Sequence, residues 1–290
     1  MLSGASSVYL PPLEFPPATI LEYLAARFLH VGIEIWRARM EAGKVIGGDG
    51  VAVTPEAPYR PDSTIRYFRE VESEELIPFQ EEIIFRNEHI LIADKPHFLP
   101  VVPTGPYVDE CLLSRLRRRT GIDELTPVHR LDRETAGLVL FSARRETRPL
   151  YHRLFADRAI IKEYLAVGAG DAEIEQEFTI ANRLVPGEPW FRMRIDSGEA
   201  NAVTHVRVIR RDNGLALFHL RPESGRKHQL RIHLLSIGYP IVNDQIYPDV
   251  HPHAPYDFPA PLGLLAKRIA FIDPVSGEHF RFESRRVLNM

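Results

Sequence analysis

Cysteine is all but missing: Cys111 is the only one in 290 residues. A disulfide framework and a thiolate metal cluster both need partners for it, so neither organises this chain. Long apolar runs are missing too, and the opening stretch MLSGASSVYLPPLEFPP has neither the basic start nor the apolar centre of a secretory signal. No membrane association is expected, and the expected address is the cytoplasm. No Walker sequence or dinucleotide fingerprint occurs, and the glycine at Gly225 reads as a turn into a helix. His129, His228 and His233 have basic neighbours and no carboxylate at zinc-site spacing, and His251 and His253 stand among prolines, so no metal centre is expected. The regular strand and helix alternation of a parallel sheet is also lacking.

What is present suits a globular enzyme. With 44% hydrophobic residues, the chain can fill the core of one large domain and one small one. Its net charge of -3 is unevenly spread. Residues 1 to 90 hold 8 Lys or Arg against 14 Asp or Glu, whereas residues 111 to 170 hold 12 against 7. The central region is therefore where a polyanion would dock. A helix is predicted there from about Asp109 to its stop at Gly121, with Arg115, Arg118 and Arg119 able to share one face. A second, from Thr147 to Asp157, turns Leu150, Leu154 and Phe155 inward and leaves Arg148, Arg153 and Arg158 for phosphates. A solvated helix face explains any one of these arginines; the cluster points to phosphate contact.

Organisation along the chain places a boundary near residue 80, which predicts a small domain over 1–80 and a larger one over 81–290. In the first, Leu21, Leu24, Phe28, Val31 and Trp36 have helical spacing, Gly43 to Gly50 break it, and Val51 to Phe68 read as short strands. The acidic stretch Glu70 to Glu75 reads as a linker. In the second, strands are predicted at 89–94, 137–142, 160–167, 203–210, 215–221 and 268–273. The fold class is α+β, with a mixed, mainly antiparallel central sheet and flanking helices.

The most informative segment is His129-Arg130-Leu131-Asp132-Arg133-Glu134-Thr135-Ala136-Gly137-Leu138-Val139-Leu140. Its apolar end reads as a buried strand, and Asp132 lies just upstream, where side chains are presented to a partner. On these residues alone, Asp132 paired with Arg130 or Arg133, or capping a turn, is the better reading. The segment resembles the HRLDxxTSGLLL motif of the RluA family of pseudouridine synthases. Ordered landmarks surround it: Ile83 to Pro96 resembles the entry strand ending in Lys-Pro, and Lys162-Glu163-Tyr164-Leu165-Ala166-Val167, which alternates like a half-buried strand, is similar to KxYxAxV. Ser224 to Leu234 resembles TGRxHQIRxHL, and Gly238 to Asp244 resembles GxPIxGD. Ala136 stands for the usual Ser, Asn243 for Gly, and Lys267 for a frequent His. Residues 1–80 loosely resemble the S4-like module that often precedes this domain, with Glu41 to Val45 at its basic turn. That module presents a basic helix and this region is acidic, so a degenerate module and a structural extension both fit.

The resemblance implies the pseudouridine synthase fold and conversion of uridine to pseudouridine in structured RNA, ribosomal or transfer, with no DNA. The N1–C1' bond breaks, the base turns, and C5 takes its place, so atoms balance and no cofactor is required. Asp132 is implied as the group that attacks C1' or C6 or takes a ribose proton. Arg231 would stand beside it, on a helix from Arg226 to Ile237 whose inner stripe is Leu230, Leu234 and Ile237. Arg130 would fill the stack vacated by the flipped uridine, and Tyr164 would stack on the extruded base and receive the C5 proton. Arg226 and His228 are expected at the RNA. A monomer is expected. The competing reading from another class is a noncatalytic RNA-binding or ribosome-assembly factor on the same scaffold; a hydrolase fits poorly, because no motif places a second carboxylate.

Overall fold

The computed structural model describes residues 6–28, 31–68, 74–251 and 257–290. His253 and most of the acidic stretch from Glu70 lie outside them. The chain forms two compact units, one of Met1–Glu74 with Pro103–Asp109 and one of Glu75–Val102 with Glu110–Met290.

In the first unit, β1 (Ser6–Leu10), α1 (Ile20–Arg27), α2 (Ile33–Glu41), β2 (Val45–Gly47) and β3 (Ser63–Tyr67) follow in order. The predicted helical stretch is two helices, α2 beginning after Gly32. An antiparallel sheet in the order β1-β3-β2 supports a core of Leu10, Leu24, Trp36, Val45 and Ile65. Glu74 accepts the backbone N–H groups of Val108 and Asp109 at 2.8 and 2.7 Å, which ties the later segment to this unit.

The second unit contains β4 (Glu82–Arg86), β5 (Ile90–Lys95), α3 (Leu112–Thr120), β6 (Thr126–Pro127), β7 (Ala136–Ser142), α4 (Arg148–Ala156), β8 (Ile161–Ala169), β9 (Glu177–Pro186), β10 (Met193–Asp196), β11 (Ala202–Asp212), β12 (Leu215–Pro222), α5 (Gln229–Ser236), β13 (Leu264–Ile272) and β14 (His279–Glu283). The sheet runs β10-β9-β11-β12-β8-β13-β7-β5-β4, with β14 on β13 and β6 on β7. Every pairing in it is antiparallel except β13 with β7.

β7 is buried along its whole length, as its unbroken apolar run requires. β8 does not alternate as predicted. Lys162 to Leu165 are all half-buried and Ala166 to Gly168 all buried, in a strand whose two edges are paired with β12 and β13.

The β7–β13 seam sets the geometry at the centre. It pairs Leu265 with Ala136 and Ala266 with Gly137. Gly137 has φ +113°, and a Cβ there would lie 2.3 Å from the carbonyl oxygen of Ala266. Only glycine permits that approach. The same register line joins Leu220, Tyr164, Ala266, Gly137 and Lys95 across the sheet.

Candidate active site

Asp132 occupies the turn that enters β7, with its carbonyl accepting the Thr135 N–H at 3.1 Å. This turn is held from the end of β5. Fully buried Lys95 donates to the carbonyls of Pro96, Leu99 and Arg133 at 3.0, 2.8 and 3.0 Å. His97 Nδ1–H donates to the Glu134 carbonyl at 2.6 Å. Burial pushes the Lys95 ammonium down to about 7, against the pull of Glu134 and Asp132. Burial also opposes the Glu134 charge, but Arg133, at 2.9 Å, outweighs it and holds that carboxyl below its ordinary range.

Arg231 comes to the same place from α5. Its Nε and Nη2 donate to the two oxygens of Asp244 at 2.7 and 2.6 Å, and Nη1 donates to Asp132 at 3.3 Å. The arginine side chain is 2% exposed and that of Asp132 31%, so the pair is walled on the arginine side and open on the carboxylate side. Burial works against the guanidinium, yet Asp244 and then Asp132 raise its pKa. Asp244 is itself fixed, its Oδ1 accepting the N–H groups of Ile246 and Tyr247 at 2.9 and 3.0 Å. The Tyr247 ring lies under the guanidinium at 5.3 Å. Such a fork holds the cation in one orientation.

His228 caps the start of α5 with φ +55° and places Nε2 3.8 Å from Asp132, while Nδ1 and the Tyr247 hydroxyl are 2.9 Å apart. Burial lowers its pKa to about 4, so the ring is neutral at pH 7. The histidine expected at the RNA therefore stands against the carboxylate. Tyr164 is half-buried on the central register line, and burial together with the charge of Asp132 raises its hydroxyl pKa, keeping the proton on.

The expected phosphate contacts divide. Arg130 is exposed beside Asp132 and makes no hydrogen bond or ion pair among the described residues. Arg226 is exposed and donates to the Asn201 carbonyl at 3.2 Å. Arg118 and Arg119 are exposed and lean on Glu110 at 3.6 Å and Glu81 at 3.8 Å. Arg115 corrects the expectation of a shared helical face: it is buried, donates to the carbonyls of Ile77 and Phe79 at 2.6 and 2.7 Å, and pairs with Glu110 and Glu81. It fastens the segment before β4 to α3, and its donors have no room for phosphate.

His129 and His233 are structural. His129 Nε2 accepts the Leu140 N–H at 3.1 Å and the ring stacks on Phe155 at 4.8 Å. His233 Nδ1 meets the Thr204 hydroxyl at 2.9 Å. The departures from the motifs are accommodated locally. Asn243 adopts φ +60°, which glycine or asparagine takes readily, and Lys267 donates to the Ser284 carbonyl at 2.7 Å. Sequence reasoning assigned no role to Asp244, Tyr247, Lys95 or His97. Asp244 and Lys95 lay inside quoted motifs, but nothing in their spacing indicated what they hold.

Residues 89–236, just over half of the chain, match a family model described as RNA pseudouridylate synthase. An uncharacterized RNA pseudouridine synthase of Synechocystis is 30% identical over 232 residues, 79% of each chain. The dual-specificity RNA pseudouridine synthase RluA of Haemophilus influenzae is 31% identical over 207 residues, 70% of this chain and 92% of its own length. Among solved structures, human RNA pseudouridylate synthase domain containing 1 superposes with a TM-score of 0.59 at 23% identity, over 74% of this chain and 86% of that one, a likeness of fold.

Proposed function

The chain belongs to the RluA family of RNA pseudouridine synthases and isomerises uridine in RNA, and on that premise we propose that Asp132, Arg231 and Tyr164 carry the reaction. The observation that supports this most is the open carboxylate of Asp132 held by an arginine that Asp244 has already locked from behind.

A carboxylate beside a flipped base loses water, and the fixed guanidinium compensates without reorganising. Asp132 then serves as nucleophile or base at the sugar or base. Tyr164 offers a ring face to the extruded uracil. Because its hydroxyl keeps its proton, it can take hydrogen from C5 only by giving up its own, and the Asp132 carboxylate, whose charge it feels, is the acceptor available. Arg130 is free to enter the vacated stack. Exposed Arg118, Arg119 and Arg226 contact the RNA backbone. Large-subunit ribosomal RNA or transfer RNA is the substrate class, the enzyme works as a monomer, and the cytoplasm is the compartment where such RNA is met. No helix among the described residues is long and apolar enough to cross a membrane.

The test is tritium release from ribosomal and transfer RNA transcripts labelled at uridine C5. Wild type is expected to release it and Asp132→Asn to release none while still binding. Equal release from both proteins would remove Asp132 from the chemistry, and no release by wild type from any transcript would overturn the reading.

A further inference from the structure

The turn joining β9 to β10 carries an aromatic side chain that folding does not use. The chain has two tryptophans: Trp36 is fully buried, and Trp190, in this turn, is 83% exposed. Its neighbourhood is nevertheless fastened to the active site. Arg192 donates to the Pro248 carbonyl at 2.5 Å and lies over the Tyr247 ring at 4.8 Å. The Met193 N–H donates to the Tyr247 hydroxyl at 2.7 Å. Tyr247 is the residue that meets His228 and underlies Arg231. The turn is thus anchored to the wall of the site with its largest apolar surface facing outward.

A cation completes the arrangement. Lys227 Nζ is 5.8 Å from the centre of the Trp190 ring, and Phe191 stands edge-on to that ring at 5.8 Å. Lys227 directly precedes His228, so the pair lies at the rim of the cleft. An indole this exposed, with an ammonium over its ring, fits an unpaired nucleobase and its phosphate. A base within a duplex has its faces covered and does not fit.

We propose that Trp190 and Lys227 form a stacking platform for an unpaired nucleotide flanking the target uridine, the base on the indole and the phosphate on the ammonium. This rests on the synthase reading above. The platform accepts any base that is free to stack, so it selects for unpaired structure around the target.

Trp36 is common to wild type and Trp190→Phe, so the difference between their emission spectra isolates Trp190. The probe is the transcript that releases tritium in the assay above. Quenching of the difference emission on titration is expected. Trp190→Ala is expected to raise KM about tenfold with kcat little changed, Trp190→Phe to recover most of that loss, and Lys227→Gln to reduce the salt dependence of binding by about one counterion. Normal tritium release with no quenching and an unchanged KM in Trp190→Ala would overturn the platform while leaving the synthase reading intact. Absence of release by wild type would overturn that reading, and the platform with it.

Discussion

Arg231 divides its donors so that two nitrogens serve Asp244 and one serves Asp132. The buried Asp244 thus positions the cation proposed to act in the chemistry. Breaking a buried pair by removing one charge costs about 3–5 kcal/mol, so Asp244→Asn is expected to lower stability and cut single-turnover tritium release by about a hundredfold or more. Arg231→Lys keeps the charge but loses the fork; it is expected to stay folded and bind RNA while turnover falls comparably. Folded Arg231→Lys with wild-type single-turnover rates would end the argument for a positioned guanidinium. The sequence offered Asp132 and Arg231 through their motifs. It did not offer Asp244 as the anchor, since the two meet only after the chain has turned back at the end of α5. Nor did it separate Arg115 from Arg118 and Arg119, because helical spacing alone does not say which arginine is covered by the segment 77–79.

Among the elements, the seam between β7 and β13 holds the site together, and Gly137 permits it. Gly137→Ala would force a Cβ against the Ala266 carbonyl in addition to a strained φ, with no flexible side chain to yield. It is expected to cost about 3 kcal/mol or more, well above the roughly 1 kcal/mol for Gly121→Ala, where φ is +70° but a Cβ meets nothing within 4 Å. Urea unfolding of both variants measures the gap; equal midpoints would mean that the seam yields. β5 and β7 were legible because short apolar runs have few other uses, β11 and β12 because buried and less buried positions alternate along them, and α3 and α4 because helical spacing and, for α3, the Gly121 stop mark them out. The start of β13 was missed by four residues, at Leu264 rather than Arg268. Its first half is buried between two strands and carries no polar alternation for a reader to follow. The short span of α5 was missed too, since His228 takes a left-handed conformation inside the predicted helix.

At the scale of the whole molecule, four histidines of the second unit are held neutral by burial: His97, His228 and His233 are lowered to about 4 and His129 to about 3. Unfolded, each titrates near 6.5. As pH falls below 6.5 the unfolded chain takes up protons that the folded one refuses, so stability is lost progressively down to about pH 4. Calorimetry at successive pH values is expected to show Tm falling by several degrees over that window, with a shallower fall in His129→Gln; a flat Tm would contradict neutral burial. The sequence placed the boundary between the units near residue 80. The actual division, at Glu74 with Pro103–Asp109 joining the first unit, was not legible, because Glu74 holds a segment distant in sequence. The sheet order has a further consequence for the chain as it leaves the ribosome. β13 lies between β7 and β8, yet it is made last of the three, about a hundred residues after β8. Until it emerges, two central strands have open edges facing each other across a gap, and nothing but a late arrival can close it. A polypeptide interrupted before Leu264 would therefore have both Asp132 and Arg231 but no seam beneath them, so synthesis must pass β13 before the two side chains share one surface.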